Sequence, residues 1–131
     1  MTPAVALSAK QPRVLLVEDE DLIRSVFGEA LRDAGCMVLE AGRADEALAY
    51  MRAGEEVDLV FSDVCMPGAF DGVELARVIG ALKPALPVIL TSGNLNPDIA
   101  SRLRFFLPKP YRIDRAIAAV FEALGQEPPE R

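Results

Sequence analysis

Five short apolar runs alternate with five segments of helical period, and this alternation restricts the fold more than any other feature of the chain. VLLV (14–17), MVLEA (37–41), VDLVFSD (57–63), PVILTSG (87–93) and FFL (105–107) read as strands. Between the first two, Leu22, Ile23, Val26, Phe27, Ala30, Leu31 and Ala34 recur at helical spacing, and Gly35 is a natural stop. In ADEALAYMRAG (44–54), Ala44, Ala47, Leu48 and Met51 share one face, and Gly54 ends the segment. GVELARVIGALKP (72–84) is a third helix, stopped at Pro84. A short fourth helix, 97–103, has a clear start: Asn96 can cap it, Pro97 suits the first position, and Asp98 suits the positive end. RIDRAIAAVFEALG (112–125) supplies the last helix.

Alternating strands and helices predict an α/β fold: a parallel sheet with helices on both faces and right-handed crossovers. Strands covered on both faces should be continuously apolar, and these are. The 131 residues suit one domain over 13–125, with a loose leader (1–12) and a frayed polar tail (126–131). Ligands of such sheets sit beyond the carboxyl ends of the strands.

What ends each strand is therefore informative. Strand one runs into Glu18 and Asp19, strand three into Asp63, strand four into Thr91 and Ser92, and strand five is followed by Lys109. A parallel sheet brings these ends to one edge, so three carboxylates, a hydroxyl and an ammonium converge. Three carboxylates a few ångström apart repel one another and resist ionisation. A hard divalent cation removes the conflict, and Mg²⁺ commonly takes one or two carboxylates plus phosphate oxygens and water; Mn²⁺ is also admissible. Lys109 offers a point charge for a phosphate, and Thr91 can donate to a phosphoryl oxygen. Asp63 is the candidate nucleophile, able to form an acyl phosphate. This set fits phosphoryl chemistry, where positioning and charge neutralisation do most of the catalysis.

Composition removes rivals. The net charge is −6 and no Lys/Arg cluster exists, which speaks against binding nucleic acid through a basic face. There is no histidine, so Ser-His and Cys-His catalysis are absent, and any metal must be held by oxygen. Cys36 and Cys65 lack metal-type spacing and read as reduced thiols of a cytoplasmic protein. No apolar run is long enough to cross a bilayer, and the N-terminus lacks a secretory signal.

VLLVEDE, DLVFSDVCMPGAFDG, PVILTSG and FLPKPY, in that order and across residues 13–124, resemble the response-regulator receiver domains of two-component signalling. The resemblance implies a flavodoxin-like, doubly wound sheet of order 2-1-3-4-5 with five helices. It implies Asp63 as phosphoacceptor, Asp19 as a direct Mg²⁺ ligand, Glu18 as a neighbour acting through water, and the backbone carbonyl of Cys65 as a further ligand. Lys109 matches the phosphate-binding lysine, and Thr91 and Phe106 match the switch pair. A cis peptide between Lys109 and Pro110 is implied as well. The implied partners are a histidine kinase or histidine phosphotransfer protein and a downstream protein target, with no nucleic acid and no membrane. No output module is recognisable after residue 125, so the expected action is a switched protein-interaction face.

The chain also departs from the family pattern. The loop between Met66-Pro67 and Asp71-Gly72 has one extra residue, and only 18 positions separate Thr91 from Lys109, which shortens the helix-four region. Phe106 has no hydroxyl. Plainer readings stand beside the sharp ones. Glu18 and Asp19 also suit a helix start, Phe106 suits a half-buried aromatic, and Cys65 suits a small inert side chain. Glu20 and Asp21 read as helix-start acids, and Asp71-Gly72 as a turn and helix start. Two alternatives for the whole chain are an interaction module of the same shape that acts without phosphorylation and a small flavin or nucleotide binder. The second lacks a glycine-rich loop after strand one.

Overall fold

The computed structural model describes residues 11–66, 71–93, 96–101 and 103–127. Its strands are β1 (Arg13–Val17), β2 (Met37–Ala41), β3 (Leu59–Asp63), β4 (Val88–Ser92) and β5 (Phe105–Pro108). Its helices are α1 (Asp21–Asp33), α2 (Ala44–Arg52), α3 (Gly72–Leu82), α4 (Pro97–Ala100) and α5 (Ile113–Leu124). All pairings are parallel and the strand order is β2-β1-β3-β4-β5, as the alternation and the resemblance implied.

Successive strand residues point to opposite faces, and two cores result. Val14, Leu16, Leu59, Phe61, Ile89 and Leu107 meet Phe27 and Leu31 of α1 and Ala116, Val120 and Phe121 of α5. Leu15, Val17 and Val60 meet Ala47, Leu48 and Met51 of α2 and Leu75 and Ile79 of α3. Both cores lie against the centre of the sheet, so its carboxyl edge is held from both sides.

The helix signals act locally as read. Gly35 and Gly54 follow α1 and α2 with φ of +102° and +85°, which an L side chain rarely adopts. The Asn96 side chain accepts from the Asp98 N–H at 2.8 Å, with Pro97 in the first turn. Yet α4 is one turn, shorter than the expected 97–103. None of its four side chains is fully buried, so little packing supports a helix too short to hold itself. β3 also starts later than expected, at Leu59. Before it, the Asp58 Oδ2 accepts the Arg13 N–H at 2.7 Å, and a side chain takes the place of a backbone acceptor. The lengthened loop, 68–70, lies outside the described residues, as do most of the leader and tail.

Candidate functional site

The carboxyl edge is assembled by register. Val17 lies opposite Ser62, Asp63 opposite Thr91, and Ser92 opposite Pro108. The residue after each strand is thereby carried to a neighbouring position. The Glu18 N–H continues the ladder to the Ala41 carbonyl at 3.0 Å, and the Lys109 N–H does the same to Ser92 at 3.0 Å. One carboxylate oxygen from each of Glu18, Asp19 and Asp63 lies within 4.8 Å of the others. Lys109 Nζ donates to Asp63 Oδ2 at 3.1 Å. The predicted convergence is therefore present: both acids of the first strand end, Asp63, Thr91 and Lys109 meet at one place.

Their surroundings differ in an instructive way. Glu18 and Asp63 are buried, at 4% and 7% exposure, whereas Asp19 is exposed. Burial pushes the Glu18 carboxyl up to about 7, aided by the Asp63 charge and resisted by the Glu20 N–H, which donates to Glu18 Oε2 at 3.1 Å. Burial raises Asp63 as well, and Asp19 adds to this, while the bond from Lys109 opposes it. For Lys109, burial pulls the ammonium down, but Asp63 outweighs it and the net direction is upward. Thr91 is 1% exposed, and its Oγ1 has no hydrogen-bond partner among the described residues. A buried hydroxyl without a partner costs about 1–3 kcal/mol, so its retention at this edge calls for a ligand atom to meet it.

The donor set fits a hard divalent cation. All three side chains are oxygen donors, they are close enough to share one ion, and two of them are held from water at a cost in ionisation that a cation would relieve. Cys65 is exposed two residues past Asp63, on the chain leaving the same strand end. Phe106 is half-buried, opposite Leu90. Alternation turns it away from Leu107 and from the α1–α5 core. The Lys109–Pro110 peptide is cis. Asp71 is the α3 cap, accepting from the Glu74 N–H at 3.0 Å, in line with its reading as a helix start.

Three contributors were not legible beforehand. Gly72 lies so close to the strand end that a Cβ there would sit 2.2 Å from the Asp63 carbonyl oxygen, and its N–H donates to Val64 at 2.8 Å. Its sequence signal, Asp-Gly at a helix start, shows the turn and not the close approach. Tyr111 packs its ring 6.0 Å from Phe61 and 6.4 Å from Phe27. Burial, with the Glu18 and Asp63 charges, pushes its hydroxyl up to about 12. Arg24 donates to the Glu18 carbonyl at 2.6 Å. Neither contact has a marker in the local sequence.

Known proteins share this arrangement of elements. The response regulator receiver domain family model matches residues 14–121. The sensor kinase CckA of Brucella abortus is 40% identical over 120 residues, covering 87% of this chain and 13% of that protein. The DNA-binding transcriptional regulator NtrC of Salmonella typhimurium is 38% identical over 119 residues, covering 86% of this chain and 24% of its own length. The chain thus spans about a quarter or less of these curated relatives. The crystal structure of a response regulator receiver protein from Sinorhizobium medicae superposes with a TM-score of 0.82 at 28% identity, covering 88% of this chain and 96% of that one. With the match running from β1 into α5, the chain belongs to the response regulator receiver domain family.

Proposed function

We propose that this chain is a phosphoacceptor that takes a phosphoryl group from a phosphohistidine of a partner protein onto Asp63. The observation that carries this is the buried Asp63 carboxylate, grouped with Glu18 and Asp19 and held by Lys109 at 3.1 Å. A carboxylate oxygen of Asp63 attacks phosphorus in line, the phosphorus–nitrogen bond breaks, and the imidazole nitrogen leaves with the electron pair. The product is an acyl phosphate. Loss of the group follows when water attacks the same phosphorus and the carboxylate leaves. The chain has no histidine, so the donor is a histidine kinase or a histidine phosphotransfer protein. The chain catalyses its own phosphorylation and dephosphorylation and turns over no separate substrate.

Glu18, Asp19, Asp63 and the Cys65 carbonyl would hold Mg²⁺, or Mn²⁺ in its place. When bound, the ion supplies positive charge to phosphoryl oxygens and to the crowded acids. The chain's own contributions are separable from it. Lys109 holds Asp63 and then a phosphoryl oxygen. Thr91 Oγ1, without a partner among the described residues, donates to another. The new charge, about −1.5 to −2 in comparable phospho-residues, draws Thr91 and the end of β4 inward. Phe106, on the neighbouring strand, turns with it. A coupling of about 1–3 kcal/mol suffices to shift the α4–β5–α5 face between two arrangements, and a downstream protein reads that face.

The test is incubation with Mg²⁺ and a small acyl or amido phosphate, followed by intact mass. One phosphoryl adduct is expected on the wild type and none on Asp63→Asn. No adduct on the wild type, or an equal adduct on the variant, refutes the assignment and leaves an interaction module that acts without phosphorylation.

A further inference from the structure

Arg24 lies on α1, outside the acidic cluster, yet it is tied to that cluster's backbone. Its Nη1 donates to the Glu18 carbonyl at 2.6 Å and its Nη2 to Asp21 Oδ1 at 2.7 Å, while Nε faces Glu40 Oε1 at 3.4 Å. The planar fork thus joins three places: the turn after β1, the start of α1, and the edge strand β2. Glu40 is itself held from the other side by Arg32 at 2.9 Å. Room for the guanidinium comes from Gly42, where a Cβ would approach Arg24 Nη1 to 3.3 Å. The Arg24 side chain is only 20% exposed and its bond to the Glu18 carbonyl is partly buried, whereas Asp21 stands in water.

We propose that Arg24 is a positioning residue for the cation site: its bond to the Glu18 carbonyl sets where the Glu18 and Asp19 carboxylates stand. This rests on the phosphoacceptor reading of the site. The carbonyl belongs to the peptide joining Glu18 to Asp19, so one bond restrains the orientation of the peptide that carries both side chains. Groups that orient metal ligands typically contribute about 10–100-fold to metal affinity. Simple electrostatics predicts the reverse. A guanidinium next to a cation site repels the cation, so its removal should tighten binding. The two roles therefore differ in sign, which makes the inference testable.

The experiment is calorimetric titration of Mg²⁺, at fixed pH and ionic strength, into the wild type, Arg24→Ala, Arg24→Lys and Gly42→Ala. Arg43→Ala, which deletes the same charge from an exposed pair with Asp45, is the charge control. Melting in EDTA runs alongside. Arg24→Ala and Arg24→Lys are expected to weaken Mg²⁺ about tenfold. Gly42→Ala, which displaces the guanidinium without removing it, should weaken Mg²⁺ less but in the same direction. The control should bind as the wild type does. The conservative lysine keeps the charge and loses the fork, so a wild-type affinity in Arg24→Lys overturns the proposal. So does equal or tighter binding by Arg24→Ala. If Arg24→Ala does not fold in EDTA, Arg24→Lys and Gly42→Ala decide. Absence of saturable Mg²⁺ binding by the wild type sinks the cation site itself, and this inference with it.

Discussion

Glu18 and Asp63 stand in opposite electrostatic conditions to Glu74 and Asp114, although the residue types are the same. Asp114 pairs with Arg112 at 3.1 Å and Glu74 pairs with Arg77, and hydrogen bonds from these arginines hold both acids below the usual carboxylate range. Both pairs are at the surface, where such contacts add little to stability. Glu18 and Asp63 are buried beside each other and beside Asp19, with one lysine among them, and both are pushed upward. The comparison teaches that neither the count of acids nor their pairing marks the site. Burial of more negative charge than the protein neutralises marks it, an imbalance that a bound cation would relieve.

The comparison can be broken most directly by charge removal. Asp63→Asn should abolish phosphorylation, and Asp114→Asn should leave it unchanged, as read by intact mass after phosphodonor treatment. An adduct that follows Asp114 instead would dissolve the distinction.

The next largest effect concerns packing behind the site. Gly72→Ala forces a methyl against the Asp63 carbonyl and should destabilise the fold by about 1–3 kcal/mol. Gly80→Ala, on the exposed side of the same helix with nothing within 4 Å, should stabilise it by about 0.5–1 kcal/mol. Urea denaturation in EDTA measures both, and equal effects would deny the close approach.

Acidity gives a third contrast, of similar size. The folded Glu18 carboxyl lies at about 7, above its ordinary value of 4.5. The folded state therefore binds more protons than the unfolded state between those values. The contribution of Glu18 is fully present below its unfolded pKa and is lost as pH rises towards its folded one. In EDTA, stability should fall by about 1–3 kcal/mol from this group between pH 5 and 8. Saturating Mg²⁺ should flatten or reverse that slope, because the ion favours the ionised form. A slope unchanged in Glu18→Gln would assign the effect elsewhere. Least affected of all, Arg77→Ala should change stability by less than about 0.5 kcal/mol, since it breaks only a surface pair.

Much of this site could be read before any coordinates. A strand that runs straight into Glu18 and Asp19, another that ends on Asp63, and Lys109 between two prolines are local patterns, and parallel topology alone puts their ends together. The cap at Asn96 and the stop at Gly35 were legible for the same reason, since each acts within a few residues of itself. The length of α4 was not, because it depends on what the helix packs against. Gly72 looked like an ordinary helix start, since the carbonyl it must avoid belongs to another strand. Nothing in the sequence around Arg24 marks its role. Its acceptor is a backbone oxygen on another element, and backbone oxygens leave no mark in a sequence.

Residue order by itself determined the succession of elements, the parallel sheet and the chemistry offered at each strand end. Those follow from period, propensity and chain direction, which are local properties. Tertiary structure alone decided which of two adjacent acids is buried, that the Thr91 hydroxyl is buried, and which glycine and which arginine brace the edge. These outcomes depend on exclusion of water and on distances between residues far apart in the chain, and both come into being only when the two cores close over the sheet.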